Sequence, residues 1–420
     1  MHVIVAAEPI ENGAGLATFV LDAVGSFAPA RPDWRFTVLA SKAFGDAAAL
    51  RAHPNVDVVI YDDLGLRRRA NALLPGMRGR DQALDLLARL APGAALRRSL
   101  GNLAETWRAL PPYDAVWVPH FAISRDIWPA LYHPGTVRAP VLLTIHDLHT
   151  AVFPEEWRRY PAMVDNFWNV FRPFTHRVAT VIADSEYQKQ LVVSHFGLSP
   201  DSVRVVYLPP PDLGLIGEWD DKKNEEPSER YGIADRYVLC PLSQLSRHKN
   251  HVGIISAWSM LHGRMGGDTP QLVFTATGDR DQMAVLAKAI AMMGLAKKVA
   301  FTGLVGRAEL GRLYRGSLAV AFPSRYEAGS GYPVLEAALL GKKIFCSRIP
   351  PIVEQVDKFG LKVRFFDPDD PDSIATTVQQ GLRDEAMLID GERFREKAAS
   401  LRLRFASAYL DAFESLPAKA

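Results

Sequence analysis

The stretch FPSRYEAGSGYPVLEA, from Phe322 to Ala337, is the most informative part of this 420-residue chain. It begins at the end of an apolar run, and Pro323 and Ser324 then break the pattern, which is typical of a buried strand that gives way to a loop. Glycines follow, and Pro333 fits the first turn of a helix, where its missing N–H is not needed. Free backbone N–H groups at such a helix start favour the binding of an anion.

Two carboxylates, Glu327 and Glu336, flank this junction of strand, loop and helix. A carboxylate beside a phosphate site repels the phosphates, and it makes sense there only if it binds neutral hydroxyl groups. A sugar or a ribose supplies such hydroxyls, so the junction suggests a nucleotide-sugar site. The other interpretation is an ordinary helix cap beside a solvated glutamate.

Length and composition limit the classes of protein that fit. A chain of 420 residues is expected to form two domains, and 48% hydrophobic with 23% charged residues is typical of a soluble globular protein. The net charge of +2 is too small to indicate nucleic-acid binding. No apolar run reaches the roughly 18–20 residues that span a bilayer. The start reads as a strand rather than a signal peptide, and Cys240 and Cys346 read as buried free thiols, so we expect a cytoplasmic protein.

Short apolar runs alternate with helical patterns, which is the signature of βα units on parallel sheets. They predict these strands: Val3–Ala7, Phe36–Ala40, Val56–Tyr61, Ala115–Pro119, Val141–Ile145, Val178–Ala183, Val203–Tyr207, Tyr237–Pro241, Gln271–Thr277, Val299–Phe301, Leu318–Phe322 and Lys343–Cys346. The stretch Leu208–Glu229 is proline-rich and then charged, as interdomain linkers are. The pattern therefore predicts that the chain forms two doubly wound α/β halves. Ligands are expected in a cleft outside the carboxyl ends of their strands.

Six segments together resemble retaining glycosyltransferases of family 4. Phe322–Ala337 resembles the signature P-S-x-x-E-G-F-G-L-P-x-x-E-A, with eight residues between its glutamates where that family has seven. The other five follow in the same order as in that family: TIHDLHTAVFPEEW (Thr144–Trp157), VIADSEYQKQLVVSHFGL (Val181–Leu198), PLSQLSRHKN (Pro241–Asn250), VAFTGLVGRAELGRLY (Val299–Tyr314) and RFFDPDDPDSIA (Arg364–Ala375).

The resemblance implies a GT-B fold, an α/β architecture of two doubly wound, Rossmann-like domains that face each other across a cleft. Residues 1–210 would form the acceptor-binding domain, residues 211–232 the linker and residues 233–390 the nucleotide-sugar-binding domain. Residues 391–420 would form a C-terminal helix that packs back on the first domain, and the helical pattern there covers Gly391–Leu416.

The resemblance, together with the negative charge of the diphosphate that must be compensated, implies a role for each residue of the expected site. Lys249 is placed as the main counter-charge of the diphosphate, because stabilising the leaving group is the largest effect available to such a site. Glu336 would accept hydrogen bonds from the ribose, and Glu327 would contact the donor sugar. His146, at the end of a predicted strand, would lie beside the reacting sugar. The catalytic candidates are therefore His146, Lys249 and Glu327.

The remaining donor-site candidates are Gly13, Gly15, Gln244, Arg247, Gly303, Val305, Ser330 and Gly331. Gln244 replaces an arginine of the resembled family, and Arg247 either supplies the missing cation or points elsewhere. Gly13 and Gly15 fit either a close approach to the diphosphate or a plain turn.

The acceptor-side candidates are His120 and Asp147. His120 fits a half-buried loop histidine equally well. Asp147 can instead hold its loop through an Asx-type bond.

The resemblance implies a retaining hexosyltransferase, with mannose from GDP-mannose as the first donor to consider and a glycan or lipid-linked acceptor in polysaccharide or glycoconjugate assembly. The alternative is a non-catalytic GT-B partner or glycan-binding subunit, which Gln244 and the longer glutamate spacing favour. No cofactor or metal is expected, since the sequence has no clustered His/Cys set with ligand spacing.

The stretch from Arg67 to Arg108 has nine arginines and three acidic residues, with leucines interleaved at roughly helical spacing. Such a stretch can lie on an anionic membrane surface. The basic candidates for that contact are Arg67, Arg68, Arg69, Arg97 and Arg98, which would place the protein peripherally on the inner face of the membrane. The other interpretation is a helix pair with its leucines in the core and its arginines in solvent.

Overall fold

A computed structural model describes residues 1–7, 15–41, 44–61, 107, 109–120, 137, 139–157, 164, 168, 171–211, 230–243, 245–329 and 331–417. The contacts of the chain divide it into two compact units. Unit 1 comprises Met1–Asp184, Gln188–Val206 and Arg404–Ala420, and unit 2 comprises Ser185–Tyr187 and Tyr207–Leu403.

Unit 1 is built on a parallel sheet of seven strands in the order β3-β2-β1-β4-β5-β6-β7. Its strands are β1 (His2–Ala7), β2 (Arg35–Ser41), β3 (Val56–Tyr61), β4 (Ala115–Val118), β5 (Val141–Ile145), β6 (Thr180–Ala183) and β7 (Val203–Val205). The helices are α1 (Gly15–Ala30), α2 (His149–Val152), α3 (Pro154–Trp157), α4 (Arg172–Thr175) and α5 (Glu186–Phe196). Every residue of β1, β4, β5 and β6 is buried, as the continuous apolar runs of a parallel sheet require.

Unit 2 is built on a parallel sheet of six strands in the order β10-β9-β8-β11-β12-β13. Its strands are β8 (Tyr237–Cys240), β9 (Gln271–Phe274), β10 (Val299–Phe301), β11 (Ala319–Phe322), β12 (Lys343–Ser347) and β13 (Arg364–Phe366). The helices are α6 (His251–Met265), α7 (Arg280–Met292), α8 (Arg307–Gly316), α9 (Tyr332–Leu339), α10 (Pro350–Phe359), α11 (Pro371–Arg383) and α12 (Gly391–Glu414). In the described parts of both units, no helix has the length and apolar character needed to cross a membrane.

All twelve predicted strands are present, and six of them are shorter than predicted by one to three residues at an end. The sequence did not predict β13, a strand of only three residues in which Arg364 and Phe365 are partly exposed. Both cysteines are free and buried, as predicted, in β8 and β12. Burial raises the pKa of the Cys346 thiol far above its usual range, so it behaves as an inert apolar group.

The contacts place the unit boundaries differently from the predicted domains. Tyr207 groups with unit 2 rather than with residues 1–206, and its hydroxyl donates to Glu354 Oε1 at 2.5 Å. The first part of α12 also groups with unit 2, because Phe394 and Ala398 lie in the core of that unit. Only Arg404–Ala420, rather than the whole of residues 391–420, groups with unit 1. Most of the predicted linker, residues 212–229, lies outside the described residues.

Aromatic side chains hold the end of α12 in unit 1. The rings of Phe405, Tyr409 and Phe413 lie 6.0, 5.4 and 6.3 Å from the ring of Phe27, centroid to centroid. The Tyr409 hydroxyl is 3.0 Å from Thr144 Oγ1 in the middle of the sheet. The last turns of the chain therefore complete the core of unit 1.

We predict that Phe413→Ala lowers the free energy of unfolding of unit 1 by about 3–5 kcal/mol, because it empties a fully buried aromatic site. Leu403→Ala is the matched control on the same helix, since Leu403 is 70% exposed. Urea unfolding monitored by circular dichroism measures the free energy of unfolding of both variants. Equal stability of the two would show that the end of α12 does not pack as described.

Candidate functional site

The predicted donor-site residues of unit 2 lie where β8 and β11 are neighbours in the sheet. The strand order reverses at this point, since β9 and β10 follow β8 on one side and β12 and β13 follow β11 on the other. Open α/β sheets bind ligands at such a switch point, outside the carboxyl ends of the strands. Lys249 follows β8 in a 3-10 turn, Arg247–Lys249, and Glu327 lies in the loop after β11.

An unusual backbone conformation fixes the turn that carries Lys249. Asn250 has φ 59°, the only positive φ among the non-glycine residues that the structure describes. Its side-chain Nδ2 donates to the carbonyl oxygen of Pro368 at 2.7 Å. A Cβ at Gly253 would lie 2.3 Å from Asn250 Oδ1, so only glycine fits there. Asparagine tolerates this left-handed conformation better than most residues, which suits it to the end of the turn that carries Lys249.

Lys249 and Glu327 form an ion pair, with Nζ donating to Oε1 at 2.5 Å. The two side chains are 24% and 14% exposed, so both charges are largely withdrawn from solvent. Lys249 Nζ also lies 6.0 Å from the ring centroid of Phe322, at the end of β11. The same ring closes the space beside Gly331, where φ is +75° and a Cβ would lie 2.9 Å from Phe322 Cζ. The lysine therefore compensates the charge of Glu327 directly.

Glu336 lies half-buried in α9, and its Oε2 accepts a hydrogen bond from the hydroxyl of Tyr314 at 2.5 Å. Helix α9 begins at Tyr332 with Pro333 in its first turn, as predicted. Burial raises the pKa of the Glu336 carboxyl, and the Tyr314 hydrogen bond and the charge of Arg307 oppose that effect. The protonation of Glu336 thus depends on its neighbours as well as on pH.

Three further donor-site candidates lie in the described residues of unit 2. Gly303 has φ +71° in the loop after β10, and Val305 packs partly buried against the core. Phe301, just before this loop, stacks on Phe274 with the ring centroids 5.0 Å apart. Arg247 is exposed and forms no ion pair with the residues that the structure describes. The structure does not connect these candidates to the pair of Lys249 and Glu327 by a described contact.

Several candidates lie outside the described residues. They are Gly13, Gln244, Ser330 and the membrane candidates Arg67, Arg68, Arg69, Arg97 and Arg98. In unit 1, Gly15 is described: it is exposed at the start of α1, and a Cβ there would meet open space. The structure of the protein alone therefore does not require glycine at position 15.

His146 lies at the end of β5, as predicted, and both of its ring nitrogens have partners within unit 1. Nδ1 is 2.8 Å from Asp184 Oδ2, and Nε2 is 3.0 Å from the carbonyl oxygen of Pro119. Asp184, which sequence reasoning did not single out, directly follows β6, and β6 pairs with β5. A polar residue directly after a buried strand was the signal that could have found it.

A carboxylate and a carbonyl oxygen both accept hydrogen bonds, whereas a neutral imidazole has only one N–H to donate. His146 and Asp184 together therefore hold one proton more than a neutral imidazole and a carboxylate would. Burial opposes the charge of His146, but Asp184 and then Asp147 and the Pro119 carbonyl together raise its pKa above the usual value. Burial also raises the pKa of Asp184, and His146 opposes that rise. The pair therefore binds protons more tightly in the folded protein than its members do in the unfolded chain.

The two acceptor-side candidates differ in their surroundings. The ring of His120 stacks on His146 with the centroids 6.4 Å apart. Burial, and then the charge of His146, lower the pKa of His120 to about 3, so His120 is neutral near pH 7. Asp147 is exposed, and its Oδ1 accepts from the backbone N–H of His149 at 3.2 Å, which is the Asx-type bond considered above.

We predict that Asp184→Asn lowers the stability of unit 1 by about 1.5–3 kcal/mol at pH 6, the worth of a hydrogen bond to a charged group. A raised histidine pKa contributes stability that is present below the unfolded value of 6.5 and is lost as pH rises through the folded pKa. The difference between wild type and variant should therefore shrink from pH 6 to pH 9. Urea unfolding across this range tests it, and a pH-independent difference would contradict the charged pair.

The chain is similar to known proteins both in sequence and in fold. Residues 223–401 match the family model described as "Glycosyl transferases group 1". An uncharacterized glycosyltransferase of Methanocaldococcus jannaschii is 29% identical over 214 residues, which are 50% of this chain and 52% of the relative. The O-antigen chain mannosyltransferase B of Escherichia coli is 22% identical over 292 residues, which are 68% of this chain and 72% of the relative.

Among solved structures, HepE of Anabaena in complex with UDP and glucose has a TM-score of 0.66 and 17% identity, with 99% of this chain and 100% of that chain covered. A likeness at this identity concerns the fold, which is the predicted GT-B fold with its two parallel-sheet domains. The chain matches only about half the length of the archaeal relative. The similarity to the group 1 glycosyl transferases thus lies in residues 223–401, and the two relatives are named a glycosyltransferase and a mannosyltransferase.

Proposed function

We propose that the chain is a retaining hexosyltransferase that moves a sugar from a nucleotide-diphosphate donor to a glycan or a lipid-linked acceptor. One observation supports this above all: the ion pair of Lys249 and Glu327 lies at the switch point of a sheet in unit 2. The group 1 family match covers the same residues. The proposal assigns the donor to this junction.

Lys249 can serve a diphosphate without leaving Glu327. A lysine ammonium has three N–H donors, and the ion pair uses one of them. The ion pair also fixes the ammonium in place, so its field is already organised when charge develops on the leaving phosphate. The negative charge of Glu327 is compensated at the same time, which leaves its second oxygen for the hydroxyl groups of the donor sugar.

The reaction that we propose keeps the configuration at the sugar. The bond from the anomeric carbon to the phosphate oxygen breaks, and the acceptor hydroxyl oxygen forms the new bond on the same face. The proton of that hydroxyl passes to the departing phosphate. Lys249 stabilises the nucleoside diphosphate that leaves, and Glu336 holds its ribose.

We propose a role for His146 on the acceptor side instead of the catalytic role that the sequence suggested. Both of its ring nitrogens already have partners, so it can bond a sugar hydroxyl only if it releases Asp184 or the Pro119 carbonyl. We therefore place Lys249 and Glu327 at the reacting centre, and we assign His146, His120 and Asp147 to the acceptor side.

The donor that we propose first is GDP-mannose. The Escherichia coli relative is named a mannosyltransferase, and Thr144–Trp157 resembles mannosyltransferase-like enzymes. The HepE structure contains UDP and glucose, which makes UDP-glucose the first competitor to test. Incubation of the purified protein with each donor, followed by detection of the released nucleoside diphosphate, distinguishes the two.

A second candidate function is a non-catalytic GT-B subunit that binds a glycan or a partner enzyme. Gln244, where the resembled family has arginine, and the spacing of eight residues between the glutamates favour it. The same hydrolysis assay separates the two functions. A protein that binds nucleotide sugars but releases no nucleoside diphosphate from any of them would support the non-catalytic subunit.

We predict that Lys249→Ala lowers the rate of donor hydrolysis by on the order of 100-fold, because the leaving diphosphate loses a fixed cation. Lys288→Ala is the matched control, since Lys288 is an exposed lysine of unit 2 on α7. Thermal unfolding of each variant checks that the fold is kept. Wild-type hydrolysis by a folded Lys249→Ala variant would move the diphosphate role to another cation.

We predict that EDTA leaves donor hydrolysis intact, because Lys249 and the N-terminus of α9 supply the positive field in this proposal. Activity with and without the chelator, and after addition of Mg²⁺ or Mn²⁺, is the measurement. Loss that a divalent ion restores would contradict the proposed charge carriers. His149 and Glu156, with Nε2 and Oε2 3.5 Å apart in unit 1, would then be candidate ligands.

A further inference from the structure

A buried tyrosine hydroxyl donates to the glutamate that we assign to the ribose. Tyr314 lies in α8 and is 0% exposed, and its hydroxyl donates to Glu336 Oε2 at 2.5 Å. The backbone carbonyl of Tyr314 also accepts from Ser317 Oγ at 2.8 Å, which fixes the end of that helix. A buried phenol with a carboxylate partner on another helix is a charge-assisted contact, stronger than a contact between neutral groups.

We propose that Tyr314 is a positioning residue that makes the nucleotide site selective for ribonucleotides. By holding Oε2, it favours the carboxylate form of Glu336 and fixes one orientation of it, with Oε1 left as the acceptor for the ribose diol. This inference rests on the proposed function and extends it to a specificity-determining residue.

The physical reason is that Glu336 is free to change in two ways without the tyrosine. The terminal torsion of a glutamate is broad and nearly two-fold, so its carboxylate rotates unless a partner fixes one oxygen. Burial also favours the protonated acid, which donates a hydrogen bond where the ribose hydroxyls need an acceptor. The phenol opposes both changes, because it bonds one oxygen and favours the charged form.

Other groups near this contact raise or lower the pKa values of Glu336 and Tyr314. The charge of Arg307 lowers the pKa of Glu336, as the Tyr314 hydroxyl does. Cys240 adds a small upward effect on the pKa of Tyr314, and burial raises the pKa of its own thiol so far that it stays neutral. Burial, and then Glu336, raise the pKa of Tyr314, so the phenol keeps its proton. Burial therefore favours the protonated form of Glu336, whereas Tyr314 and Arg307 favour the carboxylate.

A second tyrosine provides the matched control. Tyr237 is 6% exposed, and its hydroxyl donates at 2.7 Å to the carbonyl oxygen of Leu313, which lies in the same helix as Tyr314. Tyr237→Phe removes a buried hydroxyl that donates to a backbone carbonyl rather than to a glutamate. It measures what the loss of such a hydroxyl does to the fold of unit 2 alone.

The test is calorimetric titration of wild type, Tyr314→Phe and Tyr237→Phe with GDP, UDP and their 2′-deoxy and 3′-deoxy forms between pH 5 and pH 8. We expect Tyr314→Phe to bind GDP or UDP on the order of tenfold more weakly, the effect of one lost hydrogen bond to a charged group. Affinity for the deoxy forms should change less, so the ratio of ribo to deoxy affinity should fall. Tyr237→Phe should keep the wild-type ratio.

The pH dependence supplies a readout that a role in packing alone would not move. The hydrogen bond from Tyr314 favours the Glu336 carboxylate, so its loss raises the pKa of that group. Binding of the ribonucleotide by Tyr314→Phe should therefore weaken at a higher pH than binding by wild type. The inference would be overturned if wild type and Tyr314→Phe lost ribonucleotide binding at the same pH and had the same ratio of ribonucleotide to deoxynucleotide affinity.

Two further measurements keep the test decisive. In a Glu336→Ala background, Tyr314→Phe should have no further effect on the ratio, and an additive effect would contradict the positioning role. If Tyr314→Phe does not fold, the wild-type ratio itself must fall as pH drops through the Glu336 pKa, and a constant ratio would overturn the inference. Wild type that binds neither GDP nor UDP would instead contradict the proposed function, whereas binding without discrimination between ribose and deoxyribose contradicts only this inference.

Discussion

The ion pair of Lys249 and Glu327 is the interaction on which the organisation of the unit 2 site depends. It joins the turn after β8 to the loop after β11, two segments that meet because their strands pair, with Val238 opposite Ala319 and Leu239 opposite Val320. An exposed ion pair contributes little to stability, typically 0–1 kcal/mol, and this pair is only partly exposed. We therefore see its main effect as placement: it holds a cation and a carboxylate together at the switch point of the sheet.

Unit 2 brings two carboxylates to a junction that also favours anions, and it compensates them in different ways. Glu327 has a cation 2.5 Å away, whereas Glu336 has a phenol, with burial raising its pKa. The two glutamates therefore present less repulsion to a diphosphate than their formal charges suggest. Their remaining oxygens are acceptors, which suits sugar and ribose hydroxyls better than phosphate.

In unit 1 the candidate site residues form a buried histidine–aspartate pair instead of a lysine–glutamate pair. His146 and Asp184 share a proton at the ends of two neighbouring strands, and the stacked ring of His120 is kept neutral beside them. The aromatic end of α12 packs against the same sheet, where Trp117 and Tyr409 both bond Thr144 Oγ1.

The sequence predicted the strands well because parallel strands are buried on both faces and read as continuous apolar runs. It also brought out Lys249, Glu327 and Glu336, since the loops and helix starts that follow such strands carry ligand-binding side chains. It did not reveal Tyr314, because a tyrosine in the pattern RAELGRLYRG reads as an ordinary core residue of an amphipathic helix. The partner of His146 was also missed, since Asp184 is 38 residues away and only the pairing of β5 with β6 brings it near.

The measurement that tests this account most directly is a crystal structure of the protein with GDP or UDP bound. The account predicts diphosphate oxygens within hydrogen-bond distance of Lys249 Nζ and a ribose whose hydroxyls donate to Glu336, with the nucleotide outside the carboxyl ends of β8 and β11. A nucleotide bound away from both side chains, or a diphosphate held by other cations while Lys249 contacts only Glu327, would contradict it.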